Sequence, residues 1–104
     1  MKANTILTSV KQLARTVLPA DAKLVLFGSR ARGDAKPDSD WDMLILLNKE
    51  KIESDDFDRF AFPFVQYGWQ VGEFFSMKLF TKKDWESHSW HPFFKNIAQD
   101  GIAL

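Results

Sequence analysis

The amino-acid sequence predicts a single α/β (α+β) domain in which helices flank a small mixed β-sheet. Short apolar runs bounded by turn residues are typical of buried strands, and they alternate here with longer stretches that have helical spacing of apolar residues. The 104 residues are a usual length for one domain, and no repeat, low-complexity tract or linker divides them. We therefore expect one domain over residues 1–104.

The first half of the chain is expected to form one helix, two strands and a helical turn between the strands. Apolar residues recur every three or four positions up to Pro19, which cannot continue a helix. Two apolar runs follow, each of strand length and bounded by turn residues. The predicted elements are a helix over residues 4–18, a strand over residues 23–27, a helical turn over residues 29–32 and a strand over residues 41–47.

The second half is expected to form three helices around a third strand. Ser54 can cap a helix that Pro63 divides and Gly68 ends, since proline interrupts helices and glycine commonly follows their last turn. Aspartates in its first turn are expected to be solvated. The remaining predicted elements are a strand within residues 69–80, a helix capped by Thr81 and a helix from Pro92 to Gly101.

Composition narrows the classes of function. Hydrophobic residues make up 45% of the chain, which supplies a core, and the net charge of zero argues against long nucleic acids as partners. The absence of cysteine excludes disulfides and thiolate metal sites. The N-terminal segment does not resemble a signal peptide and no apolar run is long enough to span a bilayer. We therefore expect a cytoplasmic protein without membrane association.

Two carboxylates stand at the start of the second predicted strand. Asp40 and Asp42 are two positions apart, which places them on one face at roughly 7 Å. At that distance they repel each other unless a cation lies between them. Mg²⁺ accepts one or two carboxylates and completes its octahedron with water and phosphate oxygens. The alternative is a pair of solvated turn residues, because D-x-D is a short pattern.

A phosphate-binding turn can follow the first predicted strand. Gly28 would let a phosphate approach the backbone, and Ser29 at the start of a helical turn offers N–H groups and a hydroxyl. Arg30 and Arg32 add positive charge beside it, and either touch the phosphates or only solvate the loop.

Together the turn and the carboxylates indicate a site for a nucleoside triphosphate with Mg²⁺. If the two strands are neighbours, the phosphate turn faces Asp40 and Asp42. The β- and γ-phosphates would then be held at one end, with the α-phosphorus against the metal ions.

The segment GSRARGDAKPDSDWDMLIL resembles the signature of the DNA polymerase β-like nucleotidyltransferase superfamily, specifically the minimal nucleotidyltransferases of bacteria and archaea. The resemblance covers residues 24–47. It implies a fold like the polymerase β palm, with Gly28 and Ser29 holding the triphosphate of ATP and two Mg²⁺ ions bound by Asp40 and Asp42. The implied reaction transfers a nucleoside monophosphate, expected to be AMP, to a hydroxyl, and pyrophosphate leaves.

The same family usually carries a third carboxylate on a later strand, facing the first two. Glu73 is the candidate here, which makes the implied catalytic and metal-binding set Asp40, Asp42 and Glu73. The other interpretation of Glu73 is a charge on an edge strand. In that case catalysis would be weak or lost while nucleotide binding survives.

The resemblance also implies a partner, because these small proteins are often encoded beside a HEPN-domain protein. In toxin–antitoxin pairs of this type the small protein adenylylates a tyrosine of the HEPN partner. The alternative is a catalytically weak or inactive antitoxin-like subunit that neutralises a HEPN ribonuclease by complex formation. A third hypothesis has a small-molecule acceptor such as an antibiotic.

Two further groups of side chains have alternative interpretations. His88 and His91 could suggest zinc, but a third ligand with suitable spacing is missing from the sequence. Several aromatic residues fit either the core or a surface for a partner or a second copy in a homodimer. These aromatic residues are Phe62, Trp85, Trp90, Phe93 and Phe94.

Overall fold

In the computed structural model, which describes residues 2–104, four strands form one mixed sheet with helices on its faces. The protein therefore has the predicted α+β fold. In chain order the elements are α1 (Ala3–Val17), β1 (Lys23–Phe27), α2 (Ser29–Arg32), β2 (Trp41–Leu47), α3 (Phe62–Val71), β3 (Phe75–Thr81), α4 (Lys82–Ser87), α5 (Pro92–Asp100) and β4 (Ile102–Ala103).

The strand order in the sheet is β3-β2-β1-β4. Strand β1 runs antiparallel to both β2 and β4, and β2 runs parallel to β3. Because β1 and β2 are antiparallel neighbours, the end of β1 lies beside the start of β2, and Phe27 pairs with Asp42. The two strands flanking residues 28–40 are therefore neighbours, which is the condition under which the turn and the carboxylates can form one site.

The alternation of side chains along β2 divides the core between the two faces of the sheet. On one face its odd-numbered residues pack with α1 and α3 in the main cluster, which includes Ile6, Val10 and Phe64. On the other face Leu44 and Leu46 pack with Ile97 of α5. Asp42 therefore lies on the same face of the sheet as the smaller cluster, beside it at the start of β2.

Several predicted bounds agree with the structure. The strands over residues 23–27 and 41–47 and the turn over residues 29–32 have the predicted ends, and α1 is shifted by one residue. Thr81 caps α4, as its hydroxyl accepts a hydrogen bond from the N–H of Asp84 at 3.0 Å.

The prediction for the segment around Gly68 is wrong. Helix α3 continues through Gly68 to Val71 and ends at Gly72, which has φ +74°. A Cβ at position 68 would come within 2.8 Å of both the Glu73 carbonyl oxygen and the Phe75 ring, so glycine is required there by close packing and not as a helix end. The third strand therefore begins at Phe75, later than expected.

The segment before α3 also differs from the prediction. Asp56, expected to be solvated, is only 2% exposed. Its carboxylate accepts hydrogen bonds from the Glu53 N–H at 2.7 Å and the Lys49 ammonium at 2.9 Å. A π-helical turn over Phe57–Ala61 follows Asp56 and continues directly into α3, which begins at Phe62. Pro63 therefore lies at the point where the helical segment is divided, as predicted.

Within residues 2–104, no helix is long and apolar enough to cross a membrane.

Candidate functional site

The turn after β1 lies against the carboxylate at the start of β2. Gly28 has φ +75° and ψ −158°, a conformation that is essentially restricted to glycine. A Cβ on Gly28 would lie 3.2 Å from Cγ of Asp42 and closer still to Oδ2. The structure therefore brings the backbone of the turn and the carboxylate of Asp42 into direct proximity.

Ser29 begins the single helical turn of α2. The Gly28 carbonyl accepts hydrogen bonds from the N–H groups of Ala31 and Arg32, each at 3.1 Å. The N–H groups of Ser29 and Arg30 come earlier in the chain, and the turn supplies no carbonyl oxygen to accept a hydrogen bond from them. They are therefore the backbone donors that could meet an anion.

Asp42 is in an environment that disfavours its negative charge. Partial burial raises the pKa of the Asp42 carboxyl, and the nearby charge of Asp40 raises it further. Lys78 and Arg32 act in the opposite direction and do not offset the increase. A bound cation would relieve both the burial penalty and the repulsion between the carboxylates.

The residues present fit a Mg²⁺ ion that is completed by substrate oxygens. Across residues 2–104 no three side chains of His, Cys, Asp or Glu converge as a ligand cluster. Asp40 and Asp42 supply two carboxylates, and Mg²⁺ is commonly bound through one or two carboxylates together with phosphate oxygens and water.

Glu73 lies before the start of β3, beside Arg30. Its carboxylate is 4.0 Å from Nη2 of Arg30, and it precedes Phe75, whose ring stacks on Trp41 with a centroid distance of 5.8 Å. Trp41 belongs to the main core face, opposite to the face of Asp42. The structure thus pairs Glu73 with Arg30, and its role as a third metal ligand stays a prediction.

Sequence reasoning missed the two residues of β3 that face Asp42. Ser76 is the register partner of Asp42, and Lys78 follows on the same face. The charge of Lys78 acts on Asp42 by lowering its pKa. The signal that could have identified them is the alternation along β3, which requires the correct start of the strand.

Arg30 organises the loop between α2 and β2. Its Nη2 donates hydrogen bonds to the carbonyl oxygens of Pro37 at 3.3 Å and Ser39 at 3.0 Å. The guanidinium carbon lies 4.6 Å from the centroid of the Trp41 ring, and only 13% of the side chain is exposed. These contacts fix the backbone directly before Asp40. Contact of Arg30 with phosphate stays a prediction.

Arg32 is the more exposed of the two arginines and connects α2 with α5. Its Nε lies 3.3 Å from the Asp34 carboxylate, and its Nη1 lies 3.7 Å from Asp100 at the end of α5. The same side chain contributes positive charge toward Asp42. Its contact with phosphate also stays a prediction.

The histidines and the remaining aromatic residues lie around α4 and α5. His91 caps α5 by accepting a hydrogen bond from the Phe93 N–H, and Nδ1 of His88 donates to the Asp84 carbonyl at 2.9 Å. Phe94 contacts Trp85 and other rings, whereas Phe93 is 37% exposed. The aromatic set is therefore divided between core and surface.

Two comparisons with known proteins bear on the family and on the fold. A sequence model described as a nucleotidyltransferase domain matches residues 3–90. A solved structure described as the crystal structure of the toxin-antitoxin with AMP-PNP superposes with a TM-score of 0.63 at 16% identity. The match covers 92% of this chain and 69% of that one, and at this identity it shows the fold. No curated protein sequence matches this chain.

Proposed function

Because the chain belongs to the nucleotidyltransferase domain family, we propose that it transfers a nucleoside monophosphate, AMP from ATP, to a hydroxyl group. The observation that carries this proposal is the approach of the Gly28 turn to Asp42, which leaves no space for a side chain between them. Backbone donors and carboxylates meet there at one end of the sheet. A nucleoside triphosphate with Mg²⁺ is the ligand that needs both.

Each residue of the site has a distinct task in this proposal. The backbone of Gly28 and Ser29 binds phosphate oxygens and orients the chain of phosphates. Asp40 and Asp42 would hold Mg²⁺, which neutralises charge on the reacting and leaving phosphates when bound. Arg30 positions Asp40 by holding the carbonyl of Ser39, directly before it.

The reaction forms a bond between the acceptor oxygen and the α-phosphorus. The bond between the α-phosphorus and the bridging oxygen to the β-phosphate breaks, and that oxygen leaves with pyrophosphate. The acceptor hydroxyl loses its proton to solvent or to a nearby base. By orienting the triphosphate, the Gly28 turn determines which phosphorus lies beside Asp42.

The structural likeness to a toxin–antitoxin with AMP-PNP supports an adenine nucleotide and a protein partner for this chain. We propose that the partner is a HEPN-domain protein and that a tyrosine of this partner is the acceptor. A tyrosine hydroxyl presented by such a partner would supply the acceptor oxygen.

The second candidate function is an antitoxin-like subunit that binds nucleotide and neutralises a HEPN ribonuclease by complex formation. The contact of Glu73 with Arg30 favours it, as does the placement of Ser76 and Lys78 opposite Asp42. Two carboxylates bind a nucleotide more surely than they activate an acceptor hydroxyl.

Labelled ATP separates the two functions. The protein is incubated with ATP labelled in the α-phosphate, Mg²⁺ and the protein encoded beside it. Label on the partner that disappears with Asp42→Ala, but persists with the exposed control Asp38→Ala, supports the enzyme. Tight partner binding without label transfer, unchanged in both variants, supports the binding subunit.

A further inference from the structure

A small apolar pocket adjoins the phosphate turn between the end of β1 and α5. It has a volume of about 160 Å³. Its walls come from the end of β1 and from α5, and they are Phe27, Gly28, Phe93, Asn96 and Ile97. Among these side chains only Asn96 is polar, so the pocket does not suit phosphate groups, whose charge would be costly to place there.

We propose that this pocket binds the nucleobase of the triphosphate, an inference that rests on the proposed function. Gly28 is shared by the two sites, because its backbone adjoins Asp42 and also lines the pocket. A ligand whose phosphates bind at the Gly28 turn therefore has this apolar pocket directly beside it.

The size of the pocket agrees with one ring system. Pockets for whole drug-sized ligands have volumes of roughly 300–1,000 Å³. The smaller volume of about 160 Å³ fits one part of a nucleotide, with the sugar and the phosphates outside it.

The walls offer the contacts that a base uses. The rings of Phe27 and Phe93 meet edge to face, with centroids 6.4 Å apart and an angle of 82° between their planes. Phe93 keeps 37% of its surface exposed, so a further flat ring can pack against it. Stacking on an aromatic side chain contributes about 1–3 kcal/mol per base, which corresponds to about fivefold or more in affinity.

Removing the base from the ligand tests the assignment. Dissociation constants are measured by calorimetry for ATP and for inorganic tripolyphosphate, each with Mg²⁺, on the wild type and on Phe93→Ala. We expect the substitution to weaken ATP binding about fivefold or more and to leave tripolyphosphate binding unchanged. Trp69→Ala is the control, since Trp69 is also an exposed aromatic residue (62%) but lies on α3 away from the pocket.

Thermal unfolding of every variant confirms that the protein remains folded under the conditions of the titration.

The outcomes separate the pocket from the proposed function. If ATP and tripolyphosphate both bind the wild type and Phe93→Ala weakens neither, the pocket assignment is overturned and the proposed function stands. The pocket assignment is also overturned if Phe93→Ala weakens the binding of both ligands equally, because the effect would then not involve the base. If neither ligand binds the wild type, the proposed function fails and the pocket assignment fails with it.

Discussion

Gly28 and Asp42 are packed so closely that the turn after β1 has room for backbone but not for a side chain. An added Cβ would lie 3.2 Å from Cγ of Asp42. The antiparallel pairing of Phe27 with Asp42 produces this approach, because it places the end of β1 beside the start of β2. The glycine thus makes two contributions, an unusual backbone conformation and open access to the carboxylate.

Replacing Gly28 with alanine is expected to impair both folding and nucleotide binding. The backbone conformation alone costs a non-glycine residue about 1–3 kcal/mol, and the new methyl group would displace the Asp42 carboxylate. Gly33→Ala is the comparison, because Gly33 also has a positive φ, +85°, but has open space around its Cα. Chemical denaturation and nucleotide titration would be measured for both.

We expect both variants to lose stability, but only Gly28→Ala to lose nucleotide affinity. Equal affinities for the nucleotide in the two variants would show that the approach of Gly28 to Asp42 has no role in binding.

Asp42→Asn is expected to remove nucleotide binding without reducing stability. The pKa of Asp42 is raised in the folded protein, so its ionised form costs stability as the pH rises above the ordinary value of 3.8. Asparagine carries no charge and avoids this cost at neutral pH. Melting temperatures would be measured at pH 7 with EDTA and again with Mg²⁺ and ATP.

In EDTA the melting temperature of Asp42→Asn should equal or exceed that of the wild type. With Mg²⁺ and ATP, only the wild type should gain stability, because a ligand that binds the native state stabilises it. A marked loss of stability in EDTA would mean that Asp42 supports the fold rather than the ligand.

Arg30→Lys is expected to loosen the loop before Asp40. An ammonium group cannot reproduce the two contacts that the guanidinium makes with the carbonyls of Pro37 and Ser39. Losing hydrogen bonds of a charged group in this partly buried position should cost about 1.5–3 kcal/mol in the free energy of unfolding. Amide hydrogen exchange over residues 34–39 should become faster.

Arg32→Lys provides the matched control for this change. Arg32 is largely exposed, and its ion pairs with Asp34 and Asp100 should contribute no more than about 1 kcal/mol. Similar losses in the two variants would contradict the assignment of the loop-holding role to Arg30.

Acid should reduce the stabilising effect of Asp56. The hydrogen bond from the Glu53 N–H, and then that from Lys49, lower the pKa of this carboxyl from its ordinary value of 3.8. A carboxyl with a lowered pKa stabilises the fold fully above that value, and the stabilisation is lost as the pH falls below it. Asp56→Asn should therefore cost about 1–3 kcal/mol at pH 7.

Urea unfolding over a range of pH would check this expectation. The difference between the wild type and Asp56→Asn should shrink as the pH falls below 3.8. The exposed Asp58→Asn should remain close to the wild type at every pH. A difference for Asp56→Asn that stays constant down to low pH would rule out a contribution from its charge.

Ser76→Asp should place a third carboxylate opposite Asp42. Ser76 is the register partner of Asp42 on β3 and faces the same side of the sheet. We expect tighter Mg²⁺ binding and, if the chain is an enzyme, faster transfer, together with lower stability in EDTA because like charges are brought together. Ser76→Asn has similar size without the charge and should show none of these effects.

The sequence was sufficient for features that depend on local patterns. The bounds of β1, α2 and β2 follow from short apolar runs and from the glycine at the end of β1. The pairing of β1 with β2 was conditional in the sequence, yet a short connection between adjacent strands favours it. The sequence alone therefore identifies one candidate site that contains Gly28, Ser29, Asp40 and Asp42.

Features that depend on packing could not be predicted in the same way. Gly68 is a helix-ending signal locally, but it lies inside α3, where the approach of the Phe75 ring leaves room only for glycine. Because of this error the third strand is expected to start too early, and Ser76 and Lys78 are not identified from the sequence as residues that face Asp42. Strand β4 has only two residues and exists through pairing with β1, so it leaves no periodic signal.

Titration of the wild-type protein with a non-hydrolysable ATP analogue, with and without Mg²⁺, tests the central claim most directly. The claim is that the Gly28 turn and the carboxylates of Asp40 and Asp42 bind one nucleotide together. It predicts binding that requires Mg²⁺ and that is lost in Asp42→Asn while the fold persists. Binding that is equally strong in EDTA and in Asp42→Asn, or no binding by the wild type at millimolar analogue, would contradict it.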